Sequence, residues 1–592
     1  MLLRFAIWCS LNDSLPPISI VNIRLRRRIT EVDGRRVHWW SGGRGPAVLL
    51  IHGSPGNAWL VKPLAERLAR HFSVHAVDSP GFGLSDSLPA GVESVAQLAD
   101  AYRDLMDVLG LTNALVYGTH SGAAIGLELA YRHPERIPGF VLDGVPAFTP
   151  EEQRPLLAPD YLAALEPEAL GGHYTRAWTR FRDQFVWFPW YQRDPAHLNE
   201  AFAGTASDIH LWVEMYFQAL RHDYRPAYRA VIRYGSGALA AAGALRMPGV
   251  YLAERSDMLF PHLDRLPPLA PGQRIERVMD PDDVAPAVEA ALLSLPPSAV
   301  APPAAPLRAG THLHDLPDGQ LWVRSHVAGR GTPVLLLHDA PGGGRNLISL
   351  YHALAAQGPV ILPDLPGCGE SDPLAAGRSS LSDHADAVAS LVAAYTHGAI
   401  HIHGVGVGAA LALELSTRHP ELVRSVTVTG LLRTTGAQRR AMIGRLAPPI
   451  RLEDDGRHWY RTWLMLRDSL VRWPWYDRAP AALRRQHIDL DPAYLHAWTC
   501  DVMRQWSTYH QVIDAVLEWD PELPLECAAH KMTVAIDPQD ALCASDLDWA
   551  AGGAKSLTLP DDPADRARVI LGVVPRGDDC GRMAGVKGSA SG

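Results

Sequence analysis

The sequence predicts an α/β protein built as two tandem, doubly wound, mostly parallel sheets. Three observations predict it. The chain repeats itself at a steady register, short apolar runs alternate with longer helical patterns in each copy, and glycine-rich turns follow the apolar runs.

The repeat comes first because it sets the frame for everything else. PAVLLIHGSPG (46–56) returns as PVLLLHDAPGG (333–343), and VDSPGFGLSD (77–86) returns as PDLPGCGESD (363–372). YGTHSGAAIGLELAYRHPERIPGFV (117–141) returns as HGVGVGAALALELSTRHPELVRSVT (403–427), and WTRFRDQFVWFPWYQR (178–193) as WLMLRDSLVRWPWYDR (463–478). Matched at His52 and His338, Asp78 and Asp364, Gly118 and Gly404, and Trp178 and Trp463, the blocks keep an offset of 285 or 286, a register that chance low-complexity matches would not hold.

Within the first copy, AVLLI (47–51), VHAVD (74–78), ALVYG (114–118) and GFVLD (139–143) are short, branched and bounded by Gly, Pro or Asp. These are the marks of parallel strands buried on both faces. SVAQLADAYRDLMDVLG (94–110) spaces its apolar residues as a helix does and closes on Gly110. Alternating strand and helix implies crossover connections and a doubly wound sheet, whose ligands gather at the carboxyl ends of the strands. The expected organisation is an N-terminal extension at 1–28, a first domain at 29–294, and a linker at 295–310. A second domain follows at 311–574, then a disordered tail at 575–592. The linker, LPPSAVAPPAAPLRAG, is rich in Pro and Ala and is expected to be extended, semi-rigid and sparing in what it buries. Its shortness predicts intramolecular contact between the domains.

Composition narrows the function classes. Hydrophobic residues at 47% and charged residues at 20% suit a chain with large buried cores. A net charge of −9 over 592 residues, with no basic block, offers nucleic acid no footprint. The six cysteines are scattered and form no CxxC or Cys/His cluster, so neither a disulfide framework nor a metal site is implied. No uninterrupted run of 18 apolar residues occurs, and the N-terminal apolar stretch is broken by Arg4. The expectation is a cytoplasmic protein with a small-molecule ligand or substrate, no membrane or nucleic-acid partner and no cofactor.

Three ordered motifs, HGSPG, DSPGFGLSD and GTHSGA, each follow a predicted strand. Together they resemble the α/β-hydrolase superfamily, over nearly all of 30–295 and more weakly over 309–575. The resemblance implies a helical cap inserted late in each sheet, at about 147–246 and about 433–531. The first, aromatic-rich with Trp178, Trp187, Trp190, Tyr191 and Trp212, has PWY and RD elements similar to those of capped bacterial members with a GTH-[S/T]-G elbow. The resemblance implies a sharp strand-to-helix turn, G-x-nucleophile-x-G, holding the central side chain above the sheet. In this frame the central residue is His120, between Gly118 and Gly122, and Ser121 falls one place later. Ser121 would then lend its backbone N–H to the oxyanion hole, beside the loop of His52, Gly53 and Ser54. The second copy reads Gly404-Val405-Gly406-Val407-Gly408, so its central position, Gly406, has no side chain for covalent or proton-transfer chemistry.

The acid of the family's triad corresponds to Asp257 in the first copy and to Asp540, or Asp537, in the second. No histidine occurs in the segments that follow the predicted last strands. An ordinary Ser–acid–His triad therefore lacks both nucleophile and base in each copy. His120 can still act as a general acid–base without a covalent intermediate, with Asp257 orienting it. Its alternative is a packing role at a site that has lost its chemistry. His52 is expected to support the oxyanion loop, Asp78 and Asp86 to form turns, and His262 to sit on a surface loop, entry into the pocket being its alternative, with Asp143 as an alternative acid. The recurring Arg182–Asp183 and Arg467–Asp468 pairs read as cap-to-sheet ties, with a substrate-anion site as the alternative, and the cap aromatics as core and pocket wall favouring an apolar or aromatic ligand. Two function classes stay open: a hydrolase working through the first copy, with the second a catalytically empty pseudo-domain, or a non-catalytic binding protein or scaffold.

Overall fold

The computed structural model describes residues 24–199, 204–302, 309–396, 398–432, 434–484, 488–528, 531–551 and 554–574. Most of the expected N-terminal extension, part of the linker and the expected tail lie outside these residues. The chain divides into two compact units, whose described residues fall within 24–166, 173–302 and 454–456 for the first and within 167–172, 309–453 and 457–574 for the second.

The first unit holds an eight-stranded sheet: β1 (Arg26–Val32), β2 (Arg35–Gly42), β3 (Ala47–Ile51), β4 (Ser73–Val77), β5 (Leu115–Thr119), β6 (Phe140–Asp143), β7 (Gly249–Glu254) and β8 (Gln273–Val278). Their spatial order is β1-β2-β4-β3-β5-β6-β7-β8. β1–β2 and β2–β4 pair antiparallel, and the remaining pairs are parallel. The runs β3, β5 and β6 are buried at every position, as strands covered by helices on both faces must be. β1 begins at Arg26, so Arg26–Arg28 belong to the sheet and not to an extension. Its hairpin turns on Asp33 and Gly34, both at positive φ (50° and 73°), the two-residue turn whose twist matches the flanking strands.

The second unit repeats the order. β9 (Gly310–Asp315), β10 (Gln320–His326), β11 (Val334–Leu337), β12 (Val360–Pro363), β13 (Ile400–Val405), β14 (Val423–Thr429), β15 (Met532–Ile536) and β16 (Ser556–Thr558) run β9-β10-β12-β11-β13-β14-β15-β16 across the sheet. In each unit a set of helices is inserted after the sixth strand. In the first these include Gly172–Val186, Ala206–Leu220 and Arg225–Ala244, and in the second Arg457–Val471, Pro492–Arg504 and Gln511–Glu518. A buried hydrogen bond from Asn57 Nδ2 to Gln218 Oε1 (2.7 Å) ties the inserted helix Ala206–Leu220 to the loop after β3.

The start of the expected linker is more ordered than its composition predicts. Leu295 is buried, Ser298 Oγ donates to Ala47 O (2.7 Å), and Ala47 N donates to Ala299 O (3.0 Å). Its small apolar residues let an extended chain lie against the start of β3 and satisfy that strand's backbone. Among the described residues no helix is long and apolar enough to cross a membrane.

Candidate active site

β5 ends at Thr119 and the helix Ser121–Arg132 begins two residues later, leaving His120 alone in the turn at φ 52°, ψ −113°. The flanking glycines make this turn possible. A Cβ on Gly118 would lie 2.3 Å from Gly122 O, and one on Gly122 would lie 2.1 Å from Ile51 O. A non-glycine residue at positive φ is strained, and here the turn holds the strained side chain at the carboxyl end of the sheet.

His120 N donates to Asp143 O (2.9 Å), and the ring Nε2 lies 2.6 Å from Asp257 Oδ2. Asp257 stands after β7, where its Oδ1 also accepts Leu259 N (2.8 Å). The Asp257 side chain is 2% exposed and that of His120 15%. Burial opposes ionisation of Asp257, but the adjacent His120 ring outweighs it and holds the carboxyl well below the usual range. An ionised Asp257 accepts from Nε2–H, which leaves Nδ1 as the basic nitrogen; Nδ1 makes no hydrogen bond to a described residue. Asp143 is also buried and accepts from Tyr117 Oη (3.1 Å). Burial and the charge of Asp257 push it up to about 7. Two neighbouring carboxyls are thus driven apart, one ionised well below neutrality and the other titrating near it.

Ser121 does not meet the ring of His120 as a nucleophile meets its base. Its Oγ accepts Ser54 N (2.5 Å) and donates to Ser54 Oγ (2.9 Å), so the hydroxyl is spent on the loop after β3. His52 is buried beneath that loop, with Nδ1 donating to Gly53 O (3.1 Å) and Nε2 accepting Ser79 N (3.0 Å). His338 makes the same two bonds in the second unit, to Asp339 O (2.7 Å) and from Leu365 N (2.9 Å). In both, burial lowers the pKa, as suits a neutral ring bridging two loops. Asp78 accepts from Ala58 N, Leu84 N and His38 Nδ1, and Asp86 from Arg36, each fixing a turn.

Two sequence expectations need correction. His262 is no surface residue: it is buried, its Nδ1 accepts Ala147 N (3.0 Å), and its ring stands edge-on to Phe148. A short 3₁₀ segment, Phe260–Arg265, turns it inward. Asp183 and Asp468 do not bind the sheet. They pair with Arg193 (2.7 Å) and Arg478 (3.1 Å), so each closes the loop after its own inserted helix.

The second unit holds the finding that the sequence missed. Gly406 has the same turn geometry as His120, at φ 56°, ψ −115°, but a Cβ there would lie 2.1 Å from Asp339 Oδ1. The carboxyl of Asp339 occupies the space of the missing side chain, and its Oδ1 accepts both Ala340 N (2.9 Å) and Val407 N (2.8 Å). Burial, together with the charge of Asp540, pushes it up to about 7. Asp540 Oδ1 accepts Leu542 N (2.7 Å), as Asp257 accepts Leu259 N, and lines with Asp339 a cavity of about 310 Å³. The signal was in HDAPG, where the first copy reads HGSPG. An acidic residue beside an empty elbow was legible, but its side-chain direction was not. Among the described residues no cluster of His, Cys, Asp and Glu is arranged to hold a metal ion.

The family model described as the alpha/beta hydrolase fold matches residues 46–270 and 332–471, more than half of the chain. The chain belongs to the α/β-hydrolase fold family, through a matching region in each unit. Uncharacterised proteins of Mycobacterium bovis and Mycobacterium tuberculosis are each 35% identical over 111 residues, 19% of this chain. The match spans 32% of the length of those relatives. Among solved structures, epoxide hydrolase A from Mycobacterium thermoresistibile is 21% identical, covering 46% of this chain and 100% of its own at a TM-score of 0.36. A putative alpha/beta hydrolase from Nostoc is 19% identical, covering 46% of this chain and 99% of its own, also at 0.36.

Proposed function

We propose that the first unit is a hydrolase in which His120, oriented by Asp257, is the acid–base group, acting on a small substrate with an apolar or aromatic body. The observation that carries this is the 2.6 Å contact between His120 Nε2 and a buried Asp257 in the elbow of a hydrolase fold. A neutral His120 takes a proton at Nδ1 from a water as the water's oxygen bonds to the electrophilic carbon. The imidazolium, stabilised by Asp257, returns that proton to the leaving oxygen as its bond to carbon breaks. The N–H of Ser121, at the helix start, and the hydroxyl of Ser54, which only accepts in its bond with Ser121, supply donors for the developing oxyanion. No acyl-enzyme is formed, because the hydroxyl of Ser121 is committed to Ser54.

The second unit contributes no elbow chemistry of the same kind, since Gly406 carries no side chain. A binding role for the whole chain is the second reading, favoured by the bonds that Ser121 Oγ makes to the donors of the β3 loop. Hydrolysis of p-nitrophenyl acetate and related aryl esters separates the two. His120→Ala is expected to lower kcat by about 10²–10⁴-fold, the usual worth of a general base. Asp257→Asn should also lower it, whereas Ser121→Ala should keep measurable turnover and a fluorophosphonate should label nothing. Full activity in His120→Ala, or labelling at Ser121, would overturn the mechanism.

A further inference from the structure

Arg180 lies on the inserted helix Gly172–Val186 and is only 8% exposed, yet it forms no ion pair or hydrogen bond with any described residue. Its Nη1 is enclosed and without a partner. Aromatic rings surround it: the guanidinium carbon stands 4.6 Å from the ring centre of Tyr216, 4.7 Å from Phe181 and 5.4 Å from Trp190. Cation–π contacts offset part of the cost of burying a charge, but they leave the N–H donors unused. A second unused donor is close by. Tyr224, 1% exposed, has a hydroxyl with no partner, and its ring packs 5.9 Å from that of Tyr216. Buried polar groups are rarely left unpaired, and an enclosed guanidinium without a counter-ion more rarely still.

A row of packed rings links this donor pair to the candidate site. Tyr224 packs on Phe82 (6.1 Å between ring centres) and Phe82 on His52 (5.5 Å), whose loop passes beneath His120. A Cβ built on Gly53 would lie 3.5 Å from His120 Cβ. The corresponding positions of the second unit, 285 residues on, are Met465 and Tyr509. There nothing is left over: the hydroxyl of Tyr509 donates to Pro448 O and lies 4.0 Å from Met465 Sδ. The unpaired donors are therefore not required by this fold.

We infer that Arg180 and the hydroxyl of Tyr224 form an anion subsite in the first unit that holds the carboxylate of an aromatic or apolar ligand. A planar guanidinium fork and one hydroxyl match the acceptor oxygens of a carboxylate, and the ring faces suit the body that carries it. Calling this ligand a substrate rests on the hydrolase reading above; its binding does not.

The test measures binding without turnover. Isothermal titration of the full chain with phenylacetate and with neutral phenylacetamide should show the acid binding at least about 10-fold tighter, the scale of hydrogen bonds to a charged group. Arg180→Met, which installs the residue of the second unit, should erase that preference. Tyr224→Phe should weaken phenylacetate several-fold and serves should Arg180→Met fail to fold. His120→Ala should leave binding intact, so loss of turnover and loss of the subsite are read separately. Equal binding of acid and amide, an unchanged preference in Arg180→Met, or inorganic phosphate displacing phenylacetate at equal concentration would overturn the inference.

Discussion

At the scale of single residues, the two elbows pose the same geometric problem and solve it with different atoms. In the first unit the residue in the turn supplies its own side chain and finds an acid, Asp257, across the strand ends. In the second the turn supplies none, and Asp339 fills the space from the neighbouring loop while satisfying two backbone donors. The two arrangements exclude each other, because a Cβ at position 406 and the carboxyl of Asp339 cannot share one place. Gly406→Ala is therefore expected to destabilise the second unit by about 2 kcal/mol or more, from positive φ and the clash together. Asp339→Ala should relieve the clash part, giving a coupling of about 1–3 kcal/mol in a double-mutant cycle by urea denaturation. Strict additivity would show that Asp339 does not fill the elbow.

At the scale of elements, the helix that follows each elbow is held by the same devices. Arg132 and His133 both reach Asp100 in the first unit, and Arg418 and His419 both reach Asp386 in the second. A buried glutamate on the same helix takes a donor from an inserted segment: Glu128 accepts Tyr234 Oη (2.5 Å), and Glu414 accepts Trp519 Nε1 (2.9 Å) and Ser382 Oγ (2.6 Å). Glu414→Ala strands two half-buried donors and should cost about 1–2 kcal/mol in denaturant unfolding, with Glu414→Gln recovering much of it. Equal stability of Glu414→Ala and wild type would remove this tie. These elements were largely legible because period and turn chemistry are local. AVLLI at 47–51 is β3 residue for residue, and the helix expected at 94–110 forms at Val95–Val108. The edge strand β1 was not, since RRRITEV hides its alternation behind arginines. Side-chain direction was the other loss. The burial of His262, the pairing of Asp183 with Arg193 and the placement of Asp339 depend on contacts between segments far apart in sequence. The frame that put His120 at the elbow was readable because glycine at 118 and 122 is demanded by sterics alone.

At the scale of the whole molecule, buried carboxyls set how stability responds to pH. Burial pushes Asp143 in the first unit, and Asp339 and Asp546 in the second, up to about 7 each. Each holds its proton more tightly in the folded chain than in the unfolded one, where an aspartate titrates near about 4. Between those values the folded state binds more protons, so stability falls as pH rises from about 4 to about 7 and then levels. Asp257 and Asp78 act in the opposite sense, their pKa values being lowered, and their contribution is lost only as pH falls below the ordinary carboxylate range. The two effects occupy different windows and can be separated. Asp546 uses its oxygens to accept Gly430 N, a role that an amide oxygen can keep, and Asp143 accepts from Tyr117, which an amide oxygen also permits. Asp546→Asn and Asp143→Asn, followed by urea denaturation at pH 5 and pH 8, should each flatten the loss of stability with rising pH. The difference from wild type is expected to be small at pH 5 and to favour the variants at pH 8. A pH slope identical to wild type in both variants would mean that these carboxyls already carry their charge at pH 5.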